Sequence, residues 1–332
     1  MPAEWEPHHA TWIAWPHNRN DWPGKFSPIP WVYVEIVRHL HRYERVRILT
    51  TAPDRPARML AGAGVNLNQI DFFSFPTDRA WTRDYGPMFV KRGARLAINN
   101  WCFNAWAKYS NWRQDNRVAA RAARSLGLPL LEPGIVLEGG AIEVNGLGTL
   151  LTTEECLLSS EQQRNPGWTR KDLESVLARR LGVRHFLWLR RGIAGDDTHG
   201  HIDDIARFAG PSTVVAAVEE NPADENYAAL QENLELLQSM KDQDGRPLRV
   251  VPLPMPAPLY FDGRRLPASY ANFYIANNVV LAPTFNDPRD RVALSVLAEV
   301  FPDRQVIGIH SVDLVWGLGT LHCLTQQEPA VK

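Results

Sequence analysis

The sequence predicts an α/β fold of five ββαβ units in a radial, propeller-like arrangement, closed as one domain over residues 1–332. Three observations predict it. Five segments with apolar residues at helical spacing are each followed by a β-rich run. Three of those runs lead into a polar loop and then a hairpin pattern. In each of these three loops an acidic residue stands at the same offset.

The helical segments are WVYVEIVRHLHRY (31–43), NRVAARAARSLG (116–127), TRKDLESVLARRLG (169–182), ADENYAALQENLELLQSM (223–240) and DPRDRVALSVLAEVFP (287–302). Thr169 reads as an N-cap, and Gly127 and Gly182 read as C-terminal stops. The runs that follow are RVRILT, LPLLE, RHFLWL, LRVVPLP and RQVIGIH. The Pro-rich stretch 251–260 reads as a strand continued by an extended surface segment.

Asp84 in WTRDYGPMFVKRGARLAINN lies twelve positions before Leu96. Glu138 in VLEGGAIEVNGLGTLLTTE lies twelve before Leu150, and Asp203 in GHIDDIARFAGPSTVVAAVEE lies twelve before Val215. ANFYIANNVVLAPTFND repeats the hairpin with a shorter lead, and HSVDLVWGLGTLHCLTQQEP reads as a truncated fifth copy. Five units in 332 residues are about 66 residues each. An acid at one place in successive units implies a single chemical centre near the axis.

Hydrophobic residues form 45% of the chain and the net charge is −1. That supports a large core and argues against nucleic acid or an anionic membrane as a partner. No apolar run approaches a membrane span, and the start of the chain lacks a leader pattern, so the chain reads as cytoplasmic. The three cysteines, Cys102, Cys156 and Cys323, are too few for a disulfide framework. Cys102 and Cys156 read as small buried hydrophobes. Trp5, Trp12, Trp15, Trp22 and Trp31 read as an aromatic cap over the core, or alternatively as a pocket wall.

THGHIDDIARF (198–208) is the densest polar cluster, with His199, His201, Asp203 and Asp204. It has two readings. HxHxDD is one residue from the HxHxDH string of zinc-binding metallo-β-lactamases, although Asp204 replaces the last histidine and only His310 and His322 follow. The other reading is acid–base chemistry: on a strand, His201 and Asp203 share a face. In GLGTLHCLTQQEP, glycines lead into a short strand presenting Cys323. A reactive thiolate needs a nearby cation, which His201 or a cationic substrate could supply.

WTRDYGP, LEGGAIEV with LLTTEECLL, GDDTHGHIDDIARF, NFYIANNVVLAPTFNDPRD and HCLTQQEP occur in one order, behind the opening MPAEWEPHHATWIAWPHN. Together they resemble the agmatine deiminase and bacterial peptidylarginine deiminase family, from about residue 1 to residue 329. The family belongs to the guanidino-modifying enzymes, so the resemblance implies a pentein-like five-bladed α/β propeller. It implies that Cys323 attacks the guanidinium carbon and that Asp84 and Asp203 grip guanidinium nitrogens. His201 would protonate the departing ammonia and then activate water, held by Glu138. Trp81 would flank the substrate, and Asp197 would bind it or order the loop that carries His201.

The resemblance also implies a small cationic guanidinium substrate, no metal and no cofactor, no nucleic-acid or membrane partner, and is compatible with a homodimer. The sequence departs from the family's usual pattern at Thr82, Tyr85, His199, Leu318, Thr320 and Leu321. These positions are expected to line the pocket beyond the guanidinium. His199, where an acid is usual, is expected to weaken recognition of a second cation such as the amine of agmatine. The leading function is deimination of agmatine to N-carbamoylputrescine and ammonia. Behind it stand deimination of another guanidine, a silent guanidinium-binding protein and a zinc hydrolase.

Overall fold

The computed structural model describes residues 1–331. The five helical segments are helices over Ile29–Leu40, Val118–Leu126, Arg170–Leu181, Tyr227–Ser239 and Arg289–Val300. Local chemistry sets their limits. Thr169 and Asp172 form a reciprocal capping box at the start of the third. Gly127 and Gly182 end the second and third at φ 64° and 72°, a left-handed conformation that glycine adopts without a Cβ penalty.

Each helix carries the chain from a hairpin to a strand lying parallel to the hairpin's second strand, as a parallel pair requires. In the first such unit Met88–Arg92 and Arg95–Asn99 are antiparallel, with Leu130–Leu131 parallel to the latter. That third strand is short because Pro129 and Pro133 bracket it. The second unit is Glu143–Val144, Thr149–Thr153 and His185–Leu189. The third is Ala206–Gly210, Thr213–Val218 and Arg249–Pro254, and the fourth is Tyr274–Ala276, Val279–Thr284 and Gln305–His310.

The fifth unit draws on both ends of the chain. Thr325–Pro329 pairs antiparallel with His8–Ala14, which pairs parallel with Arg45–Leu49 beyond the first helix. The expected truncated copy is therefore a full one. A further strand, Ile70–Phe73, extends this sheet after a helix over Asp54–Gly62, and the sequence reading foresaw neither.

The extended segment expected after Arg249–Pro254 contains a small hairpin, Tyr260–Phe261 with Arg264–Arg265. Its turn residues Asp262 and Gly263 both have positive φ, 49° and 71°, as a tight hairpin turn demands. Trp12, Trp15 and Trp22 are buried as a cap would be, but Trp31 is 61% exposed and belongs to no cap. Cys102 is exposed rather than buried. No helix among the described residues is long and apolar enough to cross a membrane.

Candidate active site

The first strand of every hairpin is entered through a polar turn. Asp84 sits on a single helical turn, Thr82–Tyr85, ahead of Met88–Arg92. Glu138 leads the 3-10 turn Gly139–Ala141, and Asp203 lies within the 3-10 turn Ile202–Asp204. His201 and Asp203 are thus not on a strand, which begins only at Ala206. They converge because the turn folds them over one spot. The fourth unit contributes Asn272, just before Tyr274–Ala276. The fifth contributes Cys323, on the single helical turn Leu321–Leu324 rather than on the strand that follows it.

These side chains meet. His201 Nδ1 lies 3.9 Å from Asp84 Oδ1 and 3.9 Å from Asp203 Oδ1, while Nε2 lies 4.0 Å from Glu138 Oε2. Asp84 accepts Gly140 N–H on Oδ1 at 3.0 Å and Trp106 Nε1–H on Oδ2 at 2.9 Å. Arg164 Nε donates to Glu138 Oε1 at 3.0 Å. Asn272 Nδ2 donates to Asp204 Oδ1 at 2.9 Å and to Cys323 Sγ at 3.1 Å. Both ring nitrogens of His201, Glu138 Oε2 and Asp203 Oδ1 are buried without a hydrogen-bond partner. Unmatched buried polar atoms in one place are costly, and a bound polar group would satisfy them.

The electrostatics follow from burial among acids. Burial pushes the Asp84 carboxyl up to about 6, with His201 opposing and Asp203 and Glu138 reinforcing. Burial also opposes charge on Asp203, but its hydrogen bond to His322 and the cations His201 and Arg207 hold it below the usual range. For His201, burial disfavours the imidazolium, yet Asp84, Cys156 and Asp203 outweigh it and raise its pKa well above the ordinary value. Burial and the charges of Asp203, Asp204 and Asp84 push the Cys323 thiol well up. His201 is poised to give a proton, and Cys323 to keep one until a cation arrives.

A cavity opens onto Cys323 and Asp84, walled by Trp81, Trp106, Asp21, Asp197 and Leu318. Trp81 lines it, packed on Trp22 with ring centroids 5.3 Å apart. Asp197 lines the outer part, paired with Lys108 and bonded to Tyr109 Oη at 2.6 Å. These bonds, with that from Gln162 Nε2 to the Asp197 carbonyl oxygen at 3.1 Å, tie the loop before His201 to neighbouring segments. Within the loop its neighbour Asp196 accepts N–H groups of Thr198 at 2.7 Å, Gly200 at 2.7 Å and His201 at 3.1 Å.

His199 does not face this cavity. It turns into a separate cleft with Glu155 and Ser159, its Nε2 3.1 Å from Ser159 Oγ. The expected effect on a substrate amine therefore has no geometric basis, and HxHxDD does not converge as a ligand set. By ligand type, two other groups could hold a metal: Glu138 with Cys156 and His201, and Glu4 with Glu143 and His322. In both, arginine already supplies the positive charge. Arg164 is on Glu138, and Arg83 and Arg207 are on Glu4 at 3.1 and 2.9 Å.

Sequence reasoning missed Asn272, Asp196, Arg164 and Glu4. Asn272 had a visible signal, since it leads the fourth hairpin as the acids lead the first three. It is an amide where the first three units carry acids.

Comparison with known proteins shows the family of the chain. Residues 1–329 match the family described as Porphyromonas-type peptidyl-arginine deiminase. The agmatine deiminase of Pseudomonas fluorescens (strain SBW25) is 37% identical over 355 residues, covering 99% of this chain and 95% of that protein. The solved agmatine deiminase of Enterococcus faecalis superposes with a TM-score of 0.92 at 32% identity, covering 99% of this chain and 95% of that one. A substrate-bound cysteine-to-serine variant of the agmatine deiminase of C. jejuni superposes at 0.90 with 29% identity, covering 100% and 96%. The chain belongs to the Porphyromonas-type peptidyl-arginine deiminase family.

Proposed function

We propose that the protein hydrolyses agmatine to N-carbamoylputrescine and ammonia through a covalent intermediate on Cys323. The observation that carries this is the convergence of one residue from each unit: Asp84, Glu138 and Asp203 surround His201, and Cys323 lies against Asp203 with Asn272 bonded to its sulfur. Asp84 and Asp203 are two carboxylates for one planar cation, and Asp203 Oδ1 has no other partner. The bound guanidinium brings the positive charge that lowers the pKa of the Cys323 thiol, whose proton passes to solvent and leaves the thiolate. Its sulfur then adds to the guanidinium carbon. His201 gives a proton to the departing nitrogen, and ammonia leaves a thiouronium. His201 next takes a proton from water, the oxygen adds to the same carbon, and the sulfur departs.

The four-carbon tail points outward past Trp81 and Trp106. The buried, unpartnered Asp21 Oδ2 and Asp197 are the acids for its amine. The same reading treats residues 1–332 as one domain, a five-bladed propeller. Five sheets of one pattern and the pairing of Thr325–Pro329 with His8–Ala14 support it.

Arg264 also lines the cavity and would suit a carboxylate, so free arginine is the second substrate to test. The experiment is release of ammonia and ureido product from agmatine, arginine and an arginyl peptide, by wild type and Cys323→Ala. Agmatine turnover by wild type alone supports the proposal. Turnover of arginine alone would replace the substrate, and folded wild type inert to all three would remove the deiminase reading.

A further inference from the structure

His322, next to the nucleophile, has both ring nitrogens against carboxylates. Nδ1 lies 2.7 Å from Asp203 Oδ2 and Nε2 lies 2.8 Å from Glu4 Oε2. Satisfying both oxygens takes an N–H at each nitrogen. Glu4, far away in sequence, is itself anchored. Its Oε1 accepts Ile275 N–H at 2.8 Å and Arg207 Nη2 at 2.9 Å, and its Oε2 also accepts Arg83 Nη2 at 3.1 Å. Burial opposes its charge, but Arg207, His322 and Arg83 hold its carboxyl well below the usual range. The chain Glu4–His322–Asp203 is buried throughout. It engages Oδ2 of Asp203 and leaves Oδ1 turned toward His201.

We propose that Glu4 is a positioning residue for the deiminase centre: through His322 it holds Asp203 rotated so that Oδ1 is the oxygen offered to the substrate guanidinium. The inference rests on the deiminase reading above. Glu4 touches neither substrate nor sulfur, so it acts only through His322. A neutral residue at position 4 removes the carboxylate that fixes the His322 ring, and Asp203 loses the hydrogen bond that the ring gives it. The other charges facing Asp203 remain: His201 and Asp204 on its own turn, Asp84 on the Thr82–Tyr85 turn, Glu138, Cys323, and Arg207 with its partner Glu143. Burial still opposes the charge while the hydrogen bond from His322 is gone, so Asp203 then takes up a proton at higher pH.

The test compares Glu4→Gln, His322→Asn and the double variant. Agmatine binding is measured by calorimetry in a Cys323→Ser background, and the pH profile of kcat/KM with Cys323 intact. We expect Glu4→Gln to weaken binding about tenfold at pH 7, the equivalent of one pK unit. The acid limb of kcat/KM should move to higher pH, while kcat at saturating agmatine above pH 8 changes less. The double variant should match the worse single variant, because both act through one chain. A Glu4→Gln protein with lower Tm but unchanged affinity and acid limb overturns the proposal, as do effects that multiply in the double variant. Should Glu4→Gln not fold, His322→Asn carries the same test. Wild type that releases no ammonia from agmatine fails the deiminase reading instead, which separates the two.

Discussion

The sulfur of Cys323 lies 3.6 Å from Oδ2 of Asp203, with Asp204 and Asp84 adding negative charge to the same thiol. An anion there is disfavoured until a guanidinium binds between the carboxylates. Attack is thereby coupled to binding, and the free enzyme is protected from stray electrophiles. In a Cys102→Ser background, iodoacetamide should alkylate Cys323 at pH 7 at least about tenfold more slowly than a free thiol, which titrates near 8.5. A thiolate absorbance that titrates below pH 8 without substrate would contradict this.

The Asp84 carboxyl, pushed up to about 6, sets an acid limit on activity. The group is neutral below that pH and grips the guanidinium only above it. His201, held protonated by its acids, stays a donor across the same range. So kcat/KM for agmatine should rise as pH rises through about 6. Burial raises Asp21 to about 6 as well. Asp21→Asn separates them: an acid limb that survives in this variant belongs to Asp84.

Gly140 lies where the substrate's seat leaves no room for a side chain. A Cβ there would stand 2.6 Å from His201 Nδ1, 2.9 Å from Asp84 Oδ1 and 3.0 Å from Asp203 Oδ2. Gly140→Ala should lower kcat/KM by about 10²-fold or more through misplacement of these groups. Its overpacking cost is about 1–3 kcal/mol, which keeps the protein folded at 25 °C. An active alanine variant would mean that the guanidinium sits elsewhere.

Asp196 and Asp197 should separate kinetically. Asp196→Ala frees three backbone N–H groups of the loop leading to His201, and should lower kcat about tenfold or more. Asp197→Asn changes the outer wall and should raise KM for agmatine with kcat retained. The reverse pattern would return loop ordering to Asp197.

The sequence was legible where its signals repeat. Helical spacing, the glycine stops at Gly127 and Gly182, and the common offset of Asp84, Glu138 and Asp203 located the units and their centre. It was opaque where long-range pairing decides. His8–Ala14 has no strand signal of its own, and only its partners at Arg45–Leu49 and Thr325–Pro329 make it one. Glu4 and Arg164 stand in no motif, and their roles come from what the fold lays beside them. His199 misled because neighbouring residues in a turn point apart: at φ 65° it leaves the loop on the far side from His201.

The pairing of Thr325–Pro329 with His8–Ala14 also bears on how the protein comes to be made. One edge of His8–Ala14 stays unpaired until the segment Thr325–Pro329 reaches it. Of the strand pairings, the one that closes this sheet has the longest sequence separation, so its loop closure is entropically the most expensive. The turn bearing Cys323 immediately precedes this last strand. Seating that strand and bringing Cys323 beside Asp203 are therefore one step, and a chain without the pairing lacks an assembled centre.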